Sequence, residues 1–373
     1  MSFLIITHVP HLVHKGKYYA YAPYVNEMNL WVNTVEKVTI AAPEDFSQEI
    51  SPIQSAYEHE AIDFVKLRSF DLLSKRSIIG SMIKIPFLCL TLFSAMRKAE
   101  HIHLRCPGNV GLLGCLLQIF LPSKTKTAKY AGNWDPKSLQ PWSYKLQRYI
   151  LNNTFLTKNM TVLVYGEWPD SGKNIKPFFT ATYRQEEIVP FTGKTPKIPI
   201  RFVFAGGLVA GKNPFYAIRL VEALHKNGKA VLLDLYGDGR LNEPIREYIS
   251  QNGLQNQIIV HGNQNKQVLN AAYQRAHFVI LPSDSEGWPK AIAEGMFWGC
   301  VPIATPVSCV PDMLNHGVRG LLLTSNLVND TKAIRGLIND QEDFKAKSKA
   351  AAAWSRAYTI DLFETEIKKI IRT

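Results

Sequence analysis

Cysteine is scarce in this 373-residue sequence: Cys89, Cys106, Cys115, Cys300 and Cys309 are all it has. Their odd number and the absence of CxxC spacing argue against a disulfide framework and against a zinc site, and fit a reducing compartment. Long apolar runs are missing too. The longest, Ile78 to Met96, holds Lys84 and Pro86 and is bracketed by Lys75, Arg76, Arg97 and Lys98, whereas a spanning helix needs about 20 nearly uninterrupted apolar residues. The run is read either as a buried core helix or as a helix lying in a membrane interface, because periodicity alone does not separate the two. The basic brackets favour the interface, where each cation gains about 1 kcal/mol from anionic headgroups. The N-terminus, MSFLIITHVPHLVHKGK, lacks a basic n-region and a small-residue cleavage site. It is expected to form a first buried strand rather than a signal peptide or anchor. No internal repeat and no low-complexity tract is visible. Acidic residues are short in one region: residues 101–200 carry 13 Lys/Arg against 5 Asp/Glu, and the whole chain has a net charge of +12. An anionic partner is implied for that region.

What the sequence does have is a globular balance, 46% hydrophobic and 20% charged residues, over a length suited to two domains. Short apolar runs alternate with segments of helical period, the pattern of parallel sheets covered on both faces. The expected strands of the first half are Phe3 to Thr7, Lys37 to Ala41, His101 to Leu104, Thr127 to Ala131 and Val162 to Tyr165. In the second half they are Phe202 to Ala205, Val231 to Tyr236, Ile258 to His261, Phe278 to Leu281, Val301 to Ala304 and Gly320 to Leu323. Glu186 to Pro199, rich in Pro, Gly and Lys, reads as a linker. The expected α/β architecture is two Rossmann-like doubly wound domains facing a cleft, residues 1–185 and 186–353. An amphipathic helix within 354–373 is expected to return to the first domain. Open sheets of this kind bind ligands at the carboxyl ends of their strands.

Three loops at such ends carry chemistry. Gly206-Gly207-Leu208-Val209-Ala210-Gly211-Lys212 follows a strand and precedes Asn213, expected as helix N-cap, and Pro214, expected as first helical residue. Glycines there let backbone N–H groups approach a phosphate, and Lys212 adds a point charge; a plain tight turn is the competing reading. Tyr236-Gly237-Asp238-Gly239-Arg240 is a second flexible loop, for which an ordinary Asp-Gly turn competes. The third segment runs from Leu281 through Glu286, Gly287, Trp288, Pro289, Lys290, Ala291 and Glu294 to Gly299. Ser283 to Trp288 are expected as loop, Pro289 as the first residue of a helix and Gly299 as its end. Glu286 then lies on the loop and Glu294 on the second helical turn, so that they can hold different parts of one ligand. The N–H groups of Lys290, Ala291 and Ile292 are expected to form an anion hole. Lys290 in a first turn opposes the helix dipole by about 0.3–1 kcal/mol, a sign that a bound anion reverses. Glu294 among AIAEGMFW is costly unless paired, solvated or used.

Taken in order, GGL…K, YGDG, the E-x₇-E of Glu286 and Glu294, GCVPIATPVSCVPDML and HGVRGLLL resemble the retaining glycosyltransferases of family 4, which have the GT-B fold. The resemblance covers nearly all of the second half and is weaker in the first, where ITHVP and IHLRCPG look similar. It implies a donor site in which Glu286 binds hydroxyls of the transferred sugar and Glu294 the nucleotide ribose. Lys212 would neutralise the pyrophosphate, and amides from Gly287 to Ala291 would line that site. Retention on one face of the sugar, with the leaving phosphate helping to deprotonate the acceptor, requires no protein nucleophile, metal or cofactor. Fixed cations and dipoles are then the expected catalysts. Two departures stand out: Gly207 replaces the arginine usual five residues before the lysine, and Pro289 replaces a common glycine. Lys290 or Arg240 is expected to substitute for the first, and Lys290 for the second. In the first half, His103 or Arg105 matches the family's catalytic-loop histidine, Lys15-Gly16-Lys17 its glycine-rich first loop, and Asn133-Trp134-Asp135 a later histidine. These are acceptor-side candidates, with local turn chemistry competing for Asn133 and Asp135.

Other constellations carry less. His8, His11 and His14 surround Pro10 at a spacing that does not share a helical face, so a metal site there is not expected. Asp284-Ser285-Glu286 mimics an acidic metal clamp but sits inside the E-x₇-E context. Basic and aromatic residues interleave from Lys124 to Lys158 without a recognised nucleic-acid module; an anionic bilayer or a lipid-linked acceptor accounts for the same charge. The expectation is a cytoplasmic, peripheral membrane glycosyltransferase acting from a nucleotide-diphosphate-sugar onto a glycan or lipid-linked acceptor, without nucleic acid. The alternatives are an idle sugar-nucleotide-binding protein and a nucleotide-sugar epimerase.

Overall fold

The computed structural model describes the backbone of residues 1–51, 53–68 and 75–372, and the side chains of the same residues except 75–84 and 372. The chain divides into two compact units, Met1–Phe179 with Phe363–Thr373, and Thr180–Leu362.

Among the described residues the first unit has ten strands: β1 (Ser2–Ile6), β2 (His11–His14), β3 (Lys17–Tyr21), β4 (Lys37–Asp45), β5 (Gln54–Ala56), β6 (Ile62–Leu67), β7 (His101–Cys106), β8 (Thr125–Tyr130), β9 (Met160–Tyr165) and β10 (Ile175–Phe178). The parallel sheet runs β10-β9-β8-β7-β1-β4 with β6 beyond β4, while the antiparallel β2–β3 hairpin and β5 are attached at the carboxyl end of β4. Helix α1 (Ala22–Val32) precedes β4; α2 (Lys75–Lys98), α3 (Asn109–Leu117) and α4 (Trp142–Asn152) precede β7, β8 and β9. Leu88, Leu92 and Met96 of α2 recur at helical spacing and are buried with Leu104, Leu113 and Val162, which makes the described part of α2 a core helix on that side. Phe87 and Leu90, on its other side, are exposed. Lys75, Arg76 and Lys84, cations of the same segment, lie outside the described side chains. Among the described residues no helix is long and apolar enough to cross a membrane.

The second unit has a six-stranded parallel sheet of β11 (Ile200–Ala205), β12 (Val231–Tyr236), β13 (Ile258–Gly262), β14 (Phe278–Leu281), β15 (Val301–Ala304) and β16 (Leu321–Leu322), in the order β13-β12-β11-β14-β15-β16. Its helices are α5 (Pro214–Lys226), α6 (Asn242–Gln251), α7 (Lys266–Arg275), α8 (Lys290–Phe297), α9 (Val310–Met313), α10 (Leu327–Asn339) and α11 (Gln341–Arg356). Strands succeed one another outward from β11 to β13, then the chain returns to the other side of β11 with β14. The order therefore reverses between β11 and β14, and the carboxyl ends of those two strands flank a switch-point crevice.

The chain passes from the first unit to the second after residue 179 and returns at residue 363. The Pro/Gly/Lys-rich segment is anchored rather than free. Lys194 Nζ donates to the carbonyls of Tyr273 (2.6 Å) and Ala276 (2.5 Å) at the end of α7, and Arg356 donates to the Val189 carbonyl at 2.8 Å. Helix α12 (Ile360–Arg372) carries Phe363 onto Phe178 and Phe179, with ring centroids 5.2 and 5.6 Å away, and so its larger part belongs to the first unit.

Candidate active site

Three loops of the second unit meet at the switch point. Gly206 N–H donates to the Tyr236 carbonyl at 2.9 Å and Leu208 N–H to the Asp238 carbonyl at 3.0 Å, which ties the glycine loop after β11 to the one after β12. Asp284 N–H donates to the Gly211 carbonyl at 2.9 Å, which ties it to the loop after β14. Gly237 has a φ of +134°, and a Cβ there would lie 1.9 Å from the Gly206 carbonyl oxygen. Only glycine meets both demands. Gly237→Ala is therefore expected to cost about 1–3 kcal/mol, read from the urea midpoint, by prising these two loops apart. Gly207 is open: a Cβ there meets nothing nearer than 3.8 Å, so bulk is not what excludes an arginine.

Lys212 closes a 3-10 turn, Ala210–Lys212, before α5. Asn213 is the N-cap and Pro214 the first helical residue, as read from the sequence, but Asn213 caps from a left-handed conformation without a side-chain hydrogen bond. The Lys212 Nζ lies 2.5 Å from Glu286 Oε1, with side chains 31% and 7% exposed. The loop bearing Glu286 is braced from behind by hydroxyl and thiol groups that follow β15. Thr305 donates to the Ser283 carbonyl, and Ser308 and Cys309 donate to the Gly287 carbonyl at 3.2 and 3.3 Å. Trp288 stacks on Trp354 of α11 at 5.9 Å. Thr305 and Ser308 were not singled out in the sequence, although hydroxyls just past a strand end are a signal for such bracing.

Helix α8 begins at Lys290, with Pro289 as N-cap rather than first helical residue. Ile292 N–H, expected free, donates to the Pro289 carbonyl at 3.0 Å, so the anion-hole expectation is corrected to the amides of Lys290 and Ala291, which no helix start satisfies internally. Gly299, with a φ of +78°, ends the helix as expected. Glu294 is partly buried: Thr182 donates to Oε1 at 3.0 Å, Tyr273 donates to Oε2 at 3.4 Å, and Lys290 Nζ stands 3.7 Å away. The dipole cost of Lys290 is thus offset in part by its own helix. Burial, with Glu294 alongside, pushes the Tyr273 and Tyr183 phenols up, so both remain donors. Arg240 is exposed in the turn before α6.

In the first unit the period of two along β7 places His103 and Arg105 on the same face, toward α1. His103 is fully buried: its ring lies 4.3 Å from that of Trp31 and its Nδ1 is 2.8 Å from Thr127 Oγ1. Burial first, then the Arg105 charge, keeps the imidazole neutral. Of the two candidates for the catalytic-loop histidine, His103 or Arg105, His103 is therefore a core residue. Arg105, at the carboxyl end of β7, pairs with Glu27 of α1, and Lys129 of β8 reaches the same carboxylate at 2.9 Å. Burial alone would raise the Glu27 carboxyl; the two cations outweigh it and hold it at about 2. Lys15 and Gly16, with φ of +50° and +76°, form the tight turn between β2 and β3, and Lys17 opens β3. Asp135 N–H donates to Asn133 Oδ1 at 2.9 Å and Lys137 N–H to Asp135 Oδ1 at 2.8 Å, which is turn chemistry. His11 is buried, with its ring nitrogens 2.8 Å from the Val9 carbonyl and 3.0 Å from the Tyr57 hydroxyl. Among the described residues no three His, Cys, Asp or Glu come together as a metal site. His8, weighed in the sequence only as a metal candidate, is exposed just past β1, where a Cβ on Gly108 would touch its ring at 2.5 Å. Packing that takes water from part of its ring, then the Arg105 charge, lower its pKa.

Residues 185–354 match the family model of the glycosyl transferases group 1. An uncharacterized glycosyltransferase of Methanocaldococcus jannaschii, MJ1178, is 27% identical over 169 residues, 45% of this chain and 46% of that one. A putative colanic acid biosynthesis glycosyltransferase of Salmonella typhimurium, WcaL, is 27% identical over 139 residues, 36% of this chain and 34% of its own. This chain thus spans less than half the length of the curated relatives just described. The crystal structure of Anabaena HepE in complex with UDP and glucose superposes with a TM-score of 0.68 at 14% identity, covering 100% of this chain and 99% of that one. The fold is that of the GT-B glycosyltransferases.

Proposed function

We propose that the chain is a retaining, metal-independent hexosyltransferase of family 4 that moves a sugar from a nucleotide-diphosphate-sugar to a glycan or lipid-linked acceptor in cell-surface polysaccharide synthesis, working at the cytoplasmic face of a membrane. The observation that carries the reading is the Lys212–Glu286 pair, 2.5 Å apart, set among glycine loops and a helix start at the switch point. A diphosphate seated on these loops draws Lys212 toward itself and leaves Glu286 to accept hydrogen bonds from sugar hydroxyls. Glu294, one helical turn in, takes the ribose hydroxyls. Uridine is the first base to try, since HepE is described with UDP and glucose; the WcaL likeness favours a polysaccharide acceptor.

The test is a nucleotide-sugar panel read by thermal shift, then transfer with the product anomer assigned by NMR. A donor at 100 times its dissociation constant is expected to stabilise by about 2.7 kcal/mol, and Glu286→Gln to abolish transfer while the nucleoside diphosphate still binds. An inverted anomer, or transfer abolished by chelator, sinks the mechanism; silence across the panel sinks the donor site. Gly207 in place of arginine favours one rival, an idle binder, which would show donor binding without turnover under acceptor-rich conditions.

A further inference from the structure

Between Lys75 and Tyr165 the sequence has thirteen lysines and arginines but only two acidic residues, Glu100 and Asp135. Among the described residues, Arg105 and Lys129 share Glu27, and others of these cations fall into two further groups. Lys124 donates to the Arg97 and Ala99 carbonyls at 2.8 and 2.6 Å, and Lys126 to those of Gln118 and Leu121 at 3.3 and 2.7 Å. Their charges close helix ends, an ordinary structural use. Arg97, Lys98 and Lys158 are exposed instead.

The exposed cations are gathered by topology. Helices α2, α3 and α4 each run back to the start of the next parallel strand, so all three end at the amino edge of the sheet. Hydrogen bonds join those ends: Lys124 links the loop after α3 to the end of α2, while Gln118 Nε2 to the Leu156 carbonyl (3.2 Å) and Asn159 to the Pro122 carbonyl (3.0 Å) link it to the loop after α4. At this edge Phe120 is 71% and Phe155 79% exposed, and Leu90, on the outer side of α2, is 71% exposed. Lys158 Nζ lies 5.5 Å from the Phe155 ring centroid. Leu90, Arg97 and Lys98 fall on one side of α2 at helical spacing. Single exposed apolar residues are ordinary; large ones on joined loops, rimmed by cations, match an interfacial surface, while the exposed Glu36 and Glu100 of the same edge are paired with the N-terminal amine at 2.6 and 3.8 Å.

We propose that this amino edge of the first unit is a docking surface for an anionic lipid bilayer, with Phe120, Phe155 and Leu90 entering the headgroup layer and Arg97, Lys98 and Lys158 meeting its phosphates. Nucleic acid would use the same charge, but solvent-directed phenylalanines and a leucine are suited to acyl chains. The inference is independent of the transfer chemistry, since binding is measured without donor.

The experiment is co-sedimentation of the full chain with vesicles of phosphatidylcholine alone and with equal parts of phosphatidylglycerol. The chain is expected to pellet only with the mixed vesicles, and less as salt is raised. Arg97→Gln with Lys98→Gln is expected to weaken that binding roughly 30-fold. Phe120→Ser with Phe155→Ser is expected to weaken it at least about tenfold, with unchanged thermal unfolding because every substituted side chain is exposed. No pelleting with anionic vesicles, equal binding by the variants, or retention of a DNA duplex in place of vesicles overturns the proposal.

Discussion

Lys212→Met is expected to lower kcat/KM for sugar transfer by about 10²–10³-fold, the usual loss when one fixed donor to developing charge is removed. The site explains why no neighbour replaces it. Gly207 leaves the first loop without a second side-chain cation, and Lys290 stands 3.7 Å from Glu294 with part of its charge spent there. The substitution also strips Glu286, only 7% exposed, of its partner, so stability falls along with activity. The double variant Lys212→Met with Glu286→Gln separates the two effects. Removing both partners relieves the uncompensated carboxylate and should bring the melting temperature back toward that of the parent. Transfer should stay low. If the double variant binds the nucleoside diphosphate as tightly as Glu286→Gln alone, the lysine serves the fold alone and the donor reading fails.

The largest expected effect on stability lies in the other unit. Glu27→Gln removes a carboxylate that Arg105 and Lys129 share and is expected to destabilise the first unit by about 3–5 kcal/mol, because both cations lose that counter-charge. Lys129 moderates this: burial already brings it down to about 8 although Glu27 pulls the other way, so without Glu27 it can shed its proton near neutral pH. The pH dependence has a definite sign. Glu27 is held at about 2 against an ordinary 4.5, so its contribution is complete above 4.5 and is lost as pH falls toward 2. Urea unfolding from pH 6 down through that window should show the gap between parent and variant closing with acid. A gap that does not change with pH would mean that packing around Glu27, not its charge, is what the variant loses.

Much of this was legible in the sequence because the information was local. Strands buried on both faces read as short apolar runs, so β1, β7, β8, β9 and β11 to β15 were placed within a residue or two, and the start of β4 was found although it runs on past Ala41 to Asp45. Helix punctuation was equally readable where it rests on backbone chemistry, as with Pro214 at the start of α5 and Gly299 after α8. The strands that went unread, β2, β3, β5, β6 and β10, are short or alternate polar with apolar residues. Their pairing is set by a partner strand distant in the chain.

Side-chain destination was decided by tertiary structure alone. The alternation of β7 puts His103 and Arg105 on one face, but only the packing of α1 buries the histidine beneath Trp31 and turns the arginine to Glu27. The spacing of Glu286 and Glu294 is in the sequence. That Lys212 meets the first of them, and that Thr182 and Tyr273 meet the second, follows from strands β11 and β14 lying side by side across a reversal of order. Local residue chemistry determined which loops are able to hold an anion; long-range strand pairing determined which of them stand together, since contact between residues seventy positions apart is fixed by the sheet and not by the chain between them.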